Sequence, residues 1–155
     1  MPDLPLRAGP RPITTTVTPH SQLNQQPALS RTEAILDAAL KSFPGVHCAP
    51  SQISVPGARA LLIDEQSAVG PVDAFLVDRE FAHAHPGSDH SLHLTLPLEL
   101  ARQAQDSGWA EPHLLVASGE VPATVVMIYA PRDDAESDLV STLLHASYRY
   151  ATTKP

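Results

Sequence analysis

A chain of 155 residues with 43% hydrophobic and 17% charged side chains is sized for one globular domain with its own core, and it leaves no room for a second. A net charge of −7, with arginines scattered singly instead of forming a basic patch, excludes nucleic acid as an expected partner. A single cysteine excludes an internal disulfide and a cysteine-based metal centre, and no apolar run approaches the ~20 residues that span a bilayer; a soluble, cytoplasmic protein without a membrane anchor is expected.

Residues 1–29 carry six prolines among many Thr, Gln and Asn, which favours an extended arm; residues 30–155 read as a single domain. Ser30 and Glu33 have the spacing of a capping box, Ile35, Leu36, Ala39, Leu40 and Phe43 recur at helical spacing, and Pro44-Gly45 ends the run. Short apolar or β-branched stretches at 46–48, 53–55, 59–63 and 73–77, separated by Pro and Gly, read as strands of a meander. Cys48 then falls in a strand as a small buried residue.

Between Phe81 and Leu96 two segments alternate with strand period. In Phe81-Ala82-His83-Ala84-His85 the odd positions carry rings, and in Ser91-Leu92-His93-Leu94-Thr95-Leu96 the even positions carry leucine. The turn-formers Pro86 to His90 join them, so a hairpin pairing His85 with Ser91 sets His83 opposite His93. His83, His85, Ser91, His93 and Thr95 share one face, and slipping the register by one would set histidines against leucines. Grouped imidazoles cost desolvation and mutual repulsion, a cost usually tolerated where the group has work to do. His20, His47, His90 and His145, taken singly, read as hydrogen-bonded, half-buried residues.

Further along, Pro97 suits a first helical turn, Leu98, Ala101 and Ala104 follow at helical spacing, and Gly108 supplies a left-handed stop. Residues 124–129 read as a buried strand. Residues 133–150 read as a closing helix, with Asp133 and Glu136 as its capping box and Leu139, Val140, Leu143, Leu144 and Ser147 as its packed stripe. The fold class is α+β: a mainly antiparallel sheet with about three helices on one face and a histidine-lined pocket on the other.

The segments Arg79-Glu80-x-Ala82-His83-x-His85, Leu92-His93-Leu94, Gly108-Trp109, His113 and Tyr129-Ala130-Pro131-Arg132 resemble, in order and spacing, the luciferase-domain family, which includes the luciferases of bioluminescent fungi. The arm Asp3-Leu4-Pro5-x-Arg7-x-Gly9-x-Arg11-Pro12 resembles the same family, which implies an ordered strap over the body. The region between the arm and the hairpin is shorter and less alike.

The resemblance implies an oxygenase that adds O2, without an organic cofactor, to an electron-rich hydroxypyranone or polyphenol such as 3-hydroxyhispidin, followed by loss of CO2 and an excited product. Such chemistry asks for a base, a donor for developing oxygen charge and a dry cavity. The candidates are His83 and His93 as base and proton shuttle, His85 as a further donor and Asp89 orienting a ring. Arg132 either faces an anionic oxygen or is a solvated loop arginine. His113 caps the pocket from a loop, Trp109 is either core or an aromatic platform, and Thr95 and Tyr129 complete the substrate-binding set. Two other readings stay open. One is a dioxygenase holding Fe(II) or zinc on His83, His85 and His93 with Asp89 nearby; the other is a non-catalytic protein that binds a small aromatic or pyranone molecule in the same pocket.

Overall fold

The computed structural model describes residues 2–155. A six-stranded sheet, antiparallel throughout, has the order β1-β2-β3-β4-β6-β5. Its strands are β1 (Val46–Pro50), β2 (Arg59–Ile63), β3 (Glu80–Ala84), β4 (Leu92–Thr95), β5 (Ala110–Pro112) and β6 (Val125–Ile128). The proline-ended strands β1 and β5 are the two edges, where a missing N–H breaks no interior ladder. Three helices, α1 (Thr32–Ser42), α2 (Leu98–Asp106) and α3 (Asp134–Thr152), complete the α+β fold.

Strand alternation divides the sheet into two chemistries. Leu61, Ile63, Ala82, Ala84, Leu92, Leu94, Val126 and Ile128 point to one face, where they form a single core with Ile35 and Leu36 of α1, Leu100 and Ala104 of α2 and Val140, Leu143 and Leu144 of α3. Burying each large aliphatic chain contributes about 1.5–3 kcal/mol, enough to fix which face meets the helices. The other face, carrying His83 and His93, is left for the arm to cover.

Three of the expected local structures differ. Residues 53–55 are an irregular bend, and Val72–Ala74 is a 3-10 turn instead of a strand, because Pro50, Pro56-Gly57 and Gly70-Pro71 break the chain at those points. Residues 110–112 form a strand that composition did not announce. At α1 the N-terminal residue Arg31 makes no side-chain cap, and Glu33 bonds Arg59 at 2.6 Å instead of turning back to Ser30. Cys48 is exposed on edge strand β1, where Arg59 Nε donates to its sulfur at 3.2 Å. At α3 the cap is real: Asp133 Oδ1 accepts from Glu136 N at 2.8 Å.

The arm is pinned at several points. Leu4 is buried, Trp109 Nε1 donates to the Pro5 carbonyl at 2.6 Å, and Arg7 N donates to the Ser107 carbonyl at 2.9 Å. It then doubles back, with Leu23 N donating to Ile13 O and Thr14 bridged to Gln22, and Ala130 N donates to the Gln22 side chain at 2.8 Å. This fold-back lays His20 on the face opposite the helices.

Candidate active site

One row of directly paired residues crosses the sheet: Ala60, His83, His93, Met127 and Glu111, from β2 through β3, β4 and β6 to β5. Paired residues share a face, so two imidazoles and one carboxylate stand in line with only Met127 between His93 and Glu111. The hairpin register follows from the leucine and alanine rows, and His85 N donating to the Ser91 carbonyl at 3.0 Å closes it.

A bulge adds the second carboxylate. Leu61 pairs with Ala82 but Leu62 pairs with Glu80, so Phe81 is the extra residue in β3. Simple alternation puts the Phe81 ring in the histidine row. Instead it is fully buried among the helices, 6.2 Å between centroids from Tyr148 of α3, and Glu80 takes the place on the histidine face. Glu80 is completely buried and accepts from His83 Nδ1 and Ser51 Oγ, both at 2.8 Å, and from Gln52 N at 3.1 Å.

The imidazoles form one connected network. His83 Nε2 lies 3.2 Å and His85 Nε2 2.9 Å from His93 Nδ1, and His93 Nε2 lies 2.9 Å from Nδ1 of His20. His20 Nε2 in turn meets Glu111 Oε2 at 2.8 Å, and Glu111 also accepts from Tyr129 Oη and Thr14 Oγ1, both at 3.0 Å. At the hairpin end, His85 Nδ1 meets Ser91 Oγ at 2.8 Å and Asp89 Oδ2 at 3.4 Å, while the Ser91 hydroxyl donates to Asp89 Oδ1.

The partners fix the tautomers. His83 Nδ1 and His20 Nε2 face carboxylates and so carry protons. His85 Nδ1 faces a hydroxyl whose own hydrogen goes to Asp89, so it carries a proton too. His83 Nε2, His85 Nε2 and His20 Nδ1 therefore all present lone pairs to His93.

Burial opposes the charging of His83, His93 and His113. Desolvation, reinforced by repulsion from His85, His83 and the other rings, sets His93 well below the ordinary imidazole value. Desolvation also lowers His83, against an opposing hydrogen bond to Glu80. Burial and the neighbouring rings bring His113 down to about 4. The acids at both ends are lowered as well, which favours their charged form. Burial pushes Asp89 and Glu111 up, but hydrogen bonds from His85 and Ser91 to the first, and from His20, Tyr129 and Thr14 to the second, outweigh it and leave both below their usual range.

These rings open into a cavity of about 770 Å³, whose wall includes His20, His83, His85, Asp89, His93 and His113, with apolar cover from Ile53, Val55, Leu76 and Val125. The His113 ring lies 4.6 Å between centroids from His93, and its Nδ1 accepts from Leu115 N at 3.0 Å. Four expected residues lie elsewhere. Trp109 is core, with its N–H spent on Pro5. Tyr129 stands behind Glu111, between it and Arg11. The Thr95 hydroxyl donates to the Ala74 carbonyl at 2.7 Å and lies 3.3 Å from that of Ser147 of α3, which donates to the Phe81 carbonyl. Arg132 is held by Glu136, one turn on, and donates to the Ala8 carbonyl.

Sequence reasoning missed Glu80, Glu111 and His20. The Glu80 signal was hidden by the bulge. His20 lies 73 residues from His93, in a segment without periodicity, and only the arm's fold-back brings them together.

Residues 78–147, from the turn before β3 into α3, match a family model described as Luciferase domain. This segment is similar to a luciferase domain. Along its whole length the chain is 32% identical to the luciferases of Armillaria mellea and Armillaria gallica, and over 99% of it 27% identical to that of Neonothopanus nambi. It spans 64% of the Armillaria proteins and 62% of the Neonothopanus one. No solved structure matches the chain. The matched segment contains His83, His85, His93, Glu80 and Glu111, whereas His20 lies outside it and inside the longer alignments. Among the described residues no helix is long and apolar enough to cross a membrane.

Proposed function

We propose that this chain is a luciferase-type oxygenase that adds O2, without an organic cofactor, to a small electron-rich hydroxypyranone or polyphenol of the 3-hydroxyhispidin class. The observation that carries the reading is the meeting of His83, His85 and His93, ring nitrogens 2.9–3.2 Å apart, in the wall of a 770 Å³ cavity. That volume lies within the range of roughly 300–1,000 Å³ common for small-molecule sites.

Neutral buried imidazoles suit the first step, loss of the substrate's enolic proton. With no ion bound, Nε2 of His83 or His85 is the accepting atom, and His93 and His20 form a path from it toward Glu111. The electron-rich enolate then supplies the electrons that reduce O2 as a C–O bond forms. A cyclic peroxide so formed releases CO2 on breaking its O–O bond, leaving a carbonyl product. His113, with Nδ1 occupied by Leu115 N, carries its proton on Nε2 and offers that N–H to peroxide oxygen. The apolar side chains of Ile53, Leu76 and Val125 give the intermediate a partly non-aqueous wall.

The test is to mix the protein with 3-hydroxyhispidin in air and follow dissolved oxygen and photons together. One O2 is consumed per substrate, and light accompanies it if the product forms excited. His83→Ala and His93→Ala keep ligand affinity and lose uptake by roughly 100-fold or more. Tight binding with no oxygen uptake by the unaltered protein would instead make it a carrier of such molecules.

A further inference from the structure

We propose that His83 Nε2, His85 Nε2 and His93 Nδ1 are the ligands of one divalent first-row transition-metal ion. The argument starts from a proton count. His83, His85 and His20 each spend their one ring proton on an oxygen, on Glu80, Ser91 and Glu111 respectively, and each points a lone pair at His93. A neutral His93 has one N–H for two ends, so at one end lone pair faces lone pair. One end of His93 is thus left facing a lone pair with no hydrogen between, a place a cation can fill.

A cation between the three convergent nitrogens removes the conflict without a proton. His93 then binds through Nδ1 and carries its hydrogen on Nε2, where His20 Nδ1 waits at 2.9 Å. His20 passes its own Nε2–H to Glu111 at 2.8 Å. Every ligand ring now donates its distal N–H to an anchored acceptor: His83 to Glu80, His85 to Ser91 and through it Asp89, His93 to His20 and Glu111. This is the carboxylate–histidine–metal arrangement that orients metal-binding imidazoles, repeated three times. Separations of 2.9 and 3.2 Å match the ligand edges of about 2.9–3.4 Å that metal–nitrogen bonds of 2.0–2.1 Å give in octahedral and tetrahedral centres. The three ligating atoms lie within 4.8 Å of one another.

A second histidine group, His20, His93 and His113, is also close enough to hold an ion. Its tautomers argue against it. His113 Nδ1 accepts from Leu115 N, so its proton sits on the nitrogen that would have to ligate. Three imidazoles without thiolate suit zinc, iron(II), cobalt(II) or nickel(II) over calcium or magnesium. The open positions of such an ion would face the cavity, where Lewis acidity can lower the pKa of a substrate hydroxyl in place of an imidazole base.

The assignment concerns the protein alone and does not rest on the oxygenase reading. The 155-residue chain is stripped with a chelator, dialysed and titrated with Zn(II) and with Co(II), following heat and visible d–d absorption. One ion binds per chain. His83→Ala and His85→Ala each weaken binding at least ~100-fold, Glu80→Gln weakens it roughly 10–100-fold, and His145→Ala leaves it unchanged. Should the alanine variants fail to fold, nitrogen-15 shifts of the unaltered protein with Zn(II) report ligation directly, at Nε2 of His83 and His85 and Nδ1 of His93. Absence of saturable binding, affinity unchanged in folded His83→Ala and His85→Ala, or ring shifts showing only an added proton on His93 or His20 overturns the proposal. Metal binding without oxygen uptake upholds the centre and fails the reaction.

Discussion

Glu80 lies three residues before His83, a spacing that places them on opposite faces of a regular strand, yet its Oε2 is 2.8 Å from His83 Nδ1. The bulge at Phe81 makes the contact, so the orientation of a central imidazole depends on one inserted residue. Glu80→Gln keeps the volume but no longer obliges His83 to hold its proton on Nδ1. We expect oxygen uptake to fall roughly tenfold or more with the fold intact, checked by steady-state rates beside circular dichroism. Unchanged turnover would remove Glu80 from the site.

His20 ties the arm to the histidine row at both His93 and Glu111, beside the Thr14 hydroxyl's bond to Glu111. Replacing it with alanine takes two hydrogen bonds from the arm and leaves His93 Nε2 unpaired. Backbone amides of Ser21, Gln22 and Leu23 should exchange faster with deuterium, while the β3 and β4 amides stay protected. Global stability falls by about 1–3 kcal/mol. Equal protection at 21–23 in the variant would show that the arm is held elsewhere.

Arg132 and Glu136 make a stability prediction with a definite sign. Burial pushes the Glu136 carboxyl up, but the Arg132 guanidinium and backbone N–H outweigh it and leave the group below its ordinary value. A carboxyl depressed in the folded state stabilises it above the unfolded pKa, and that gain is lost as pH falls through the folded pKa. Arg132 is 29% exposed at its side chain, so the pair contributes about 1 kcal/mol. In urea titrations Arg132→Ala should differ from the unaltered protein most near pH 7, with the gap closing below about pH 4.

Gly70 is packed against the end of α3. A methyl group there would sit 2.2 Å from the Tyr150 carbonyl oxygen and 2.9 Å from Ala151 backbone atoms. Gly70→Ala must therefore push the last turn of α3 outward and weaken the bond from Gly70 N to Ala151 O. We expect a loss of about 1–3 kcal/mol in thermal or urea unfolding, with oxygen uptake little changed because the cavity lies across the sheet.

Much of the sheet was legible because its alternation is strict where it matters. Leucines on β4 and alanines on β3 left one register for the hairpin, and that register sets His83 opposite His93. Helix α3 was equally plain, since Asp133 and the Val140–Leu143–Leu144 stripe carry both its start and its packed face. What escaped was non-local or irregular. Nothing in the Arg79–Ala82 stretch marks the bulge that exchanges Phe81 for Glu80. The strand at Ala110–Pro112 is too short for a period, so Glu111 had no face until its pairing with Met127 was known. Arg132 and Tyr129 are ordinary candidates by residue type. Their partners Glu136 and Glu111 occupy them, a fact of packing rather than of composition.

The bond between His20 and Glu111 joins positions 91 residues apart. A chain growing from its N-terminus thus carries the capping imidazole long before the opposite edge strand exists to receive it. Assembly order follows: the hairpin forms from local contacts, but the relay along it stays open until β6 has docked and brought β5 alongside. Nascent or partly refolded molecules therefore contain all their histidines and still lack the finished centre, so acquisition of activity should lag behind acquisition of secondary structure.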